Sequence, residues 1–420
     1  MISMKTYKLS ELYELSSGIS TKPEQAGHGY PFCSFSTIFN NPILPEELPE
    51  LMDTSEKERE VYSIKKGDVL LTRTSETLDE LAMSSVALKD YPNATFSGFA
   101  KRLRPISKDA YPKFMAFFFR SDYFRKIINN KAIMTLRASF NENIFNDISF
   151  QLPPIEEQIK AGNFLYEIEM KIRNNNKLAE NYKKMVDLIF DKWFNRYEPN
   201  SKLDCVYNEE ADKELPINWS FKPIRSIIDH EIGGDWGKDN PEGNYQSEVF
   251  CIRGTDINGV RDGSFEKLPK RYILNKNIDR LLSKGDYIIE VSGTPGRSTY
   301  INQNMLKRYN ERLIGSNFCC AIAFKDKNML YWFDSLWKKL HANGITTSFS
   351  GKTTIANLLF DSLVESVCIE VPPPSVLAKY NELVEPMFEE IQSLYNENNR
   401  LENTRKFLIN LFMTQQVKMK

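Results

Sequence analysis

Histidine is nearly missing from this 420-residue chain: three residues, at 28, 230 and 341, are too scattered to form an imidazole-based metal centre without partners from distant segments. No metal site is expected. The six cysteines, at 33, 205, 251, 319, 320 and 368, form no C-x-x-C pair, and four lie in apolar, strand-like contexts. That pattern predicts buried free thiols. No run of about 18 apolar residues occurs, so no membrane span is expected. The most apolar cluster, Phe117-Phe118-Phe119, is closed by Arg120. The amino terminus has no basic region followed by an apolar stretch, so no signal peptide is read and a cytoplasmic location is expected.

Nucleotide-binding loops are missing too. Gly351-Lys352-Thr353 has the end of a phosphate loop, but G-x-x-x-x-G-K-[ST] needs a glycine where Thr346 stands, and Gly344 comes two positions too early. Gly293-Thr294-Pro295-Gly296 lacks dinucleotide spacing, and no methyl-donor loop, Asn-Pro-Pro-aromatic methylation motif or helicase ATPase is present. Glu169-Met170-Lys171 has the E-x-K form of some nucleases but lies in a helical stretch. These absences leave a binding protein as the better reading than an enzyme.

An excess of one charge is also lacking, with 55 Lys or Arg against 56 Asp or Glu, which excludes a uniformly basic coat. The distribution is uneven. Residues 96–137 hold ten Lys or Arg against two Asp, and 267–314 hold ten against four acids. Acid concentrates at Glu46–Glu60 and Glu365–Glu397. Two basic stretches, one per half, suit a two-site nucleic-acid binder.

What the chain does contain is a copy of itself. Phe32-Cys33 returns as Phe250-Cys251, Thr37 and Asn40 as Thr255 and Asn258, and Lys66-Gly67-Asp68-Val69-Leu70-Leu71 as Lys284-Gly285-Asp286-Tyr287-Ile288-Ile289, all shifted by 218. Leu152-Pro153-Pro154 returns as Val371-Pro372-Pro373. Each half is long enough to bury its own core. Short stretches rich in β-branched and aromatic residues (32–38, 69–73, 249–253, 287–291, 318–324) read as strands between Gly, Pro and Asn turns. Residues 112–129 and 329–341 read as aromatic helices. The fold class is α+β: a first domain over 1–152, a long helix over 153–198, a linker over 199–216, a second domain over 217–371 and a second helical region over 372–420.

In the first helical stretch Ala161, Leu165, Ile168, Ile172, Asn175, Ala179, Tyr182, Val186, Ile189 and Trp193 follow alternating steps of four and three, the seam of a coiled coil. In the second, Met387, Ile391, Leu394, Asn398, Leu401, Arg405, Leu408 and Phe412 do the same, and Pro386 is expected to start a new helix after a short one from Ser375 to Val384. Asn175 and Asn398 interrupt the two seams, and in an antiparallel pair they would meet and set the alignment.

Candidate nucleic-acid contacts come from loops that follow matching strands. Arg73 and Ser75 follow one Gly-Asp-strand, and Ser292, Thr294 and Arg297 follow the other. Small hydroxyl residues beside an arginine suit phosphate contacts and bidentate reading of guanine. A second pair of polar loops holds Arg137, Ser139 and Asn141 in one half and Ser350, Lys352 and Thr353 in the other, with Asn141 suited to adenine. Lys101, Arg102, Arg104 and Arg253 complete the basic set.

Three features carry a family resemblance: Gly285 to Arg297, Leu152-Pro153-Pro154-Ile155-Glu156-Glu157-Gln158 at the start of a long helix, and Asn175-Asn176-Lys177-Leu178 matched by Asn398-Asn399-Arg400-Leu401. In this order, duplicated, the chain resembles the DNA-specificity (S) subunits of type I restriction-modification enzymes. The resemblance implies two tandem target-recognition domains, each reading half of a split double-stranded DNA site, and two long helices in an antiparallel coiled coil that spaces them. It implies a non-catalytic chain that binds no cofactor and directs two adenine-N6 methyltransferase (M) subunits, with or without restriction (R) subunits. S-adenosylmethionine, ATP and Mg would sit on those partners. The alternatives are the S subunit of a type II enzyme with a fused nuclease-methylase partner, and a coiled-coil scaffold that binds only proteins. Two departures stand out: Arg73-Thr74-Ser75-Glu76 lacks the glycines of its counterpart, and Pro372-Pro373-Pro374-Ser375-Val376-Leu377 lacks the Glu-Glu-Gln.

Overall fold

The computed structural model describes residues 4–75, 77, 80–131, 138–198, 204–261, 268–351 and 356–413. The chain divides into two compact units, Met1–Arg173 with Arg400–Lys420, and Asn174–Asn399. The division falls inside the two long helices rather than at their ends, so each helix contributes to both units. Both units are α+β.

In the first unit, strands Tyr13–Ser17, Ala100–Pro105, Val69–Thr72 and Ser84–Val86 form an antiparallel sheet in that order. A second sheet places Ala26–Cys33 antiparallel to Glu50–Met52 and parallel to Thr95–Phe96. Lys5–Lys8 pairs with Ser149–Leu152, closing the unit where its chain enters and leaves. The apolar triplet lies in the core, where Phe119 meets Phe124 at 4.8 Å and Phe118 meets Phe150 at 4.9 Å between ring centroids. Ala161 and Leu165 from the first long helix and Phe412 and Met413 from the second close this core.

The second unit repeats the plan. Ile228–Gly233, Cys319–Phe324, Tyr287–Glu290 and Ser298–Tyr300 form the antiparallel sheet, and Tyr245–Ile252 lies antiparallel to Lys270–Leu274 and parallel to Leu313–Gly315. Ser220–Pro223 pairs with Cys368–Val371. Registers repeat as well as strands: Phe32 faces Thr95 and Phe250 faces Leu313, each member displaced by 218. Gly18 and Gly234 mark one shared constraint. A Cβ on either would fall 2.1 and 1.9 Å from the carbonyl oxygens of Ser97 and Ser316, so only glycine admits that strand crossing. Trp332, Phe333, Trp337, Tyr287 and Tyr380 fill the core.

Several expected elements shift for local reasons. The strand expected over 32–38 ends at Cys33, because Ser34 caps a helix, Phe35–Asn40, by accepting the Thr37 amide at 3.2 Å. The aromatic helix over 112–129 is two helices, Pro112–Phe118 and Asp122–Lys131, with Ser121 accepting the Phe124 amide between them. The segment expected as a linker contains a hairpin, Cys205–Asn208 with Lys213–Pro216.

Pro386 does not start a new helix. The second long helix runs unbroken from Pro374 to Met413 with Pro386 on its exposed side. An interior proline costs about 3 kcal/mol. Against it, Leu377, Tyr380 and Val384 before the proline and Phe388, Ile391 and Leu394 after it are all buried. At roughly 1.5–3 kcal/mol each, one continuous apolar face outweighs the lost bond. The first long helix spans Ile155–Phe190 and ends in a wider π turn, Asp191–Asn195. Near this end Phe190 and Phe194 are buried, with the expected Ile189 and Trp193 only partly buried beside them.

Candidate nucleic-acid interface

In the first unit, the two loops singled out by sequence are neighbours. After strand Val69–Thr72 the chain turns outward at Arg73, whose amide donates to the Phe99 carbonyl at 2.8 Å and whose carbonyl accepts the Phe140 amide at 2.8 Å. Thr74 and Ser75 then pair with Ser139 and Ala138. Arg73, Lys101, Ser139 and Asn141 therefore share one edge. Arg73 is exposed, and Lys101 donates to Ser17 Oγ at 2.8 Å. The Lys101 ammonium is held below its ordinary pKa, chiefly by partial burial and then by Arg73 beside it. Two cations held close against their mutual repulsion suit an anionic ligand. Ser75 is buried against Glu80, and Asn141 caps helix Glu142–Asp147 through Oδ1, leaving its Nδ2 as the group for a ligand.

The second unit builds the same frame. Val291 donates to the Phe318 carbonyl at 2.8 Å and accepts from the Leu358 amide at 2.7 Å, as Arg73 does with Phe99 and Phe140. Ser292 faces Asn357 as Thr74 faces Ser139, and Gly351 donates to the Asn357 carbonyl. Ser292 is buried, Thr294 is exposed, and Ser350 turns back onto the Thr346 carbonyl at 2.9 Å. By this frame the counterpart of Ser139 is Asn357, outside the 348–354 stretch expected from sequence. Arg137, Lys352 and Thr353 lie outside the described residues.

The Gly-Thr-Pro-Gly loop is organised by Glu290, which sequence reasoning passed over. Its carboxylate, 3% exposed, accepts the Thr294 amide at 3.1 Å and Arg297 Nε at 2.6 Å. Gly296 adopts φ +97°, and a Cβ there would lie 2.4 Å from His341 Nδ1. Arg297 is thus tied into the turn through Nε.

Other cations in the basic stretches are also engaged. Arg102 is buried and donates to the carbonyls of Val61 and Ser63. Arg104 forms a two-pronged ion pair with Asp68 at 2.9 and 2.7 Å, which raises its pKa further. Arg120 donates to three carbonyls, of Ile38, Phe39 and Ser84, and Arg253 pairs with Asp256 through Nε and Nη2. Arg271 is buried between Asp239 and the Trp236 carbonyl. Several arginines of the basic stretches are therefore engaged internally, whereas lysines such as Lys108, Lys126 and Lys276 stay exposed. Arg73 and Lys101 are the members of the first set that reach the loop edge.

Sequence reasoning also missed Phe99 and Phe318. They are 66% and 54% exposed, at matching positions beside the two frames, and large aromatics so placed suit stacking or wedging against bases. The signal was present as Ser97-Gly98-Phe99 and Ser316-Asn317-Phe318, displaced by 219.

A family model described as the type I restriction modification DNA specificity domain matches residues 1–181. The MjaIX specificity subunit of a type I restriction enzyme from Methanocaldococcus jannaschii is 25% identical over 345 residues, covering 80% of this chain and 74% of its own length. The EcoKI specificity subunit from Escherichia coli is 26% identical over 178 residues, 40% of this chain and 38% of its own. In fold, the crystal structure of the type I restriction-modification S subunit from M. genitalium aligns over 98% of this chain and 96% of its own, with a TM-score of 0.62 at 13% identity. Residues 1–181 thus carry a type I restriction modification DNA specificity domain, and the whole chain shares the fold of a type I S subunit.

A specificity subunit is non-catalytic, and type I systems combine S, M and R subunits on double-stranded DNA. Among the described residues no three His, Cys, Asp or Glu side chains gather as a metal site, and no helix is long and apolar enough to cross a membrane. None of the six cysteines is in a disulfide. Burial pushes the thiols of Cys251 and Cys319 up to about 12 and about 11, far from a nucleophilic thiolate, while Cys205 is exposed.

The two long helices of the chain meet antiparallel. In the second unit Asn175 Nδ2 donates to Asn398 Oδ1 at 2.9 Å and to Glu397 at 2.7 Å, while Asn398 Nδ2 donates to Asn176 Oδ1 at 2.8 Å. In the first unit Arg405 pairs with the buried Glu169. The Glu-Glu-Gln signature also has a structural explanation. Gln158, fully buried, donates to the Asp109 and Pro153 carbonyls and accepts the Tyr111 amide. It clamps the start of the aromatic helix to the start of the long one. The second unit has Leu377 there, and Asn381, one turn later, makes the matching bond to the Asn328 carbonyl at 2.9 Å.

Proposed function

We propose that this chain is a type I specificity subunit that reads a bipartite double-stranded DNA site, one half with each unit, and directs two adenine-N6 methyltransferase subunits to it, joined by restriction subunits where the system carries them. The observation that carries the reading is the duplicated loop frame: Phe99–Arg73–Phe140 in one unit and Phe318–Val291–Leu358 in the other, each flanked by an exposed phenylalanine and polar side chains. Arg73, Lys101, Ser139 and Asn141 form the first reading set, and Thr294, Asn357 and Phe318 the second. Phosphate contacts from the cations would position each unit, and side chains along the loops would specify. S-adenosylmethionine, ATP and Mg belong to the partner subunits on this reading.

The test is co-expression with the neighbouring methyltransferase gene, followed by genome-wide mapping of N6-methyladenine by single-molecule sequencing. A split motif with a fixed unread gap is expected. A contiguous motif, or no methylation from a soluble assembled complex, would refute two-headed reading.

A further inference from the structure

The duplication supplies an internal control for one polar cavity. In the first unit the Asp68 carboxylate accepts the Lys65 amide on one oxygen and both prongs of the Arg104 guanidinium. In the second unit Asp286 occupies the same place and accepts the Ser283 amide at 2.6 Å. The position that matches Arg104, however, is Ala323: Leu103 faces Val69 as Ile322 faces Tyr287, one residue earlier in each strand. Asp286 is 6% exposed, and among the described residues the Ser283 amide is its one hydrogen-bond donor. Burial raises its pKa, with that amide and His230, on the strand beyond that of Ala323, acting in the other direction.

The space that the arginine would take is open. Asp286 and Ala323 line a cavity of about 520 Å³, together with Asn381 and Glu385 from the second long helix. The buried Asn381 Oδ1 has no hydrogen-bond partner. Gly67 in the first unit is crowded, with an added Cβ 3.0 Å from Pro105, whereas a Cβ on the matching Gly285 meets nothing within 4 Å. Two exposed lysines, Lys284 and Lys327, also border the cavity and offset the two carboxylates. A simple cation therefore gains little from the overall charge, and among the described residues no cluster has the ligands a metal needs. Paired acceptor oxygens instead match a planar, multidentate donor.

We propose that this cavity is a binding site for a guanidinium group, which takes on Asp286 the place that the chain's own Arg104 takes on Asp68. Two sources carry that chemistry: an arginine side chain of a partner polypeptide, and free arginine whose carboxylate would reach Lys284 or Lys327. The site is independent of the DNA-reading loops and does not rest on the proposed function.

The experiment is titration calorimetry of the full chain with L-arginine blocked at both ends as the N-acetyl amide, and separately with free L-arginine and blocked lysine. Saturable binding of blocked arginine is expected, with blocked lysine about tenfold weaker or worse. Equal affinity for the two arginine forms assigns a polypeptide source, and tighter binding of the free amino acid assigns a small molecule. Ala323→Arg restores the first unit's arrangement, so it should raise the Tm of the second unit and abolish binding. Asp286→Asn should abolish binding while the chain stays folded by circular dichroism, and it keeps the test decisive if the arginine variant fails to fold. Absence of binding to the wild-type chain, or binding unchanged in Asp286→Asn, would overturn the proposal.

Discussion

Replacing Arg297 with alanine separates two roles for the glycine-loop arginine. If Arg297 is an anchor of its own turn, its loss leaves Glu290 buried with the Thr294 amide as its remaining donor. Removing one partner of a buried pair costs about 3–5 kcal/mol. The Arg297 side chain is 24% exposed and water can reach the vacated space, which brings the figure to about 2–3 kcal/mol. All five tryptophans, at 193, 219, 236, 332 and 337, lie in the second unit, so selectively excited tryptophan fluorescence follows that unit. With an m-value of about 2–3 kcal/mol/M in urea, the fluorescence midpoint should fall by about 1 M. Arg297→Ala combined with Glu290→Gln should recover much of the loss, because a neutral amide tolerates burial better than a lone carboxylate. An unchanged midpoint, with binding lost only on DNA altered in one half-site, would refute the anchor argument and restore Arg297 as a base contact.

The remaining predictions use the same handles. Asn175→Ala removes the donor to Asn398 Oδ1 and one donor to Glu397 and should lower the fluorescence midpoint by an amount equivalent to about 1–3 kcal/mol, whereas joint replacement of Asn175 and Asn398 by leucine should be neutral or stabilising. Phe99→Ala and Phe318→Ala should leave stability within about 0.5 kcal/mol, yet each should weaken binding of the assembled complex by about 1–3 kcal/mol, measured by anisotropy on duplexes changed in one half at a time. Asp286 titrates higher in the folded chain than in the unfolded one, so the folded state holds more protons between those two values. Stability should fall as pH rises through that window, and Asp286→Asn should remove the slope in urea titrations across acidic pH.

Much of the architecture was legible because duplication amplifies weak signals. The Gly-Asp-strand pair and the proline-led helices recur at nearly one spacing, and both mark the strands and helices that the structure shows. The interface was less legible. A stretch of ten cations reads as a surface patch in one dimension, yet Arg102, Arg104 and Arg120 bind carbonyls and carboxylates from segments tens of residues away. Arginine is well suited to that internal task, since one guanidinium satisfies several carbonyls that strand ends leave open. Pro386 misled for a related reason: a local rule met a continuous apolar face whose burial is set by tertiary packing.

The two units agree most closely where the contacts are made by backbone. The amide of residue 73 or 291 reaches residue 99 or 318, and its carbonyl receives residue 140 or 358, whichever side chains are present. Side chains on that frame differ freely: Arg73 against Val291, Ser139 against Asn357, Asn141 against Leu359. A frame that depends on backbone hydrogen bonds places few demands on the residues it displays, so those residues can change without unfolding the loop. On the proposed reading, each unit can then acquire its own half-site while the fold stays duplicated. The recognised sequence would be asymmetric because the displayed side chains are. Exchanging 139–141 for 357–359 within the intact frames should alter one half of the methylated motif and leave the other unchanged. Alteration of both halves would mean that the units do not read separately.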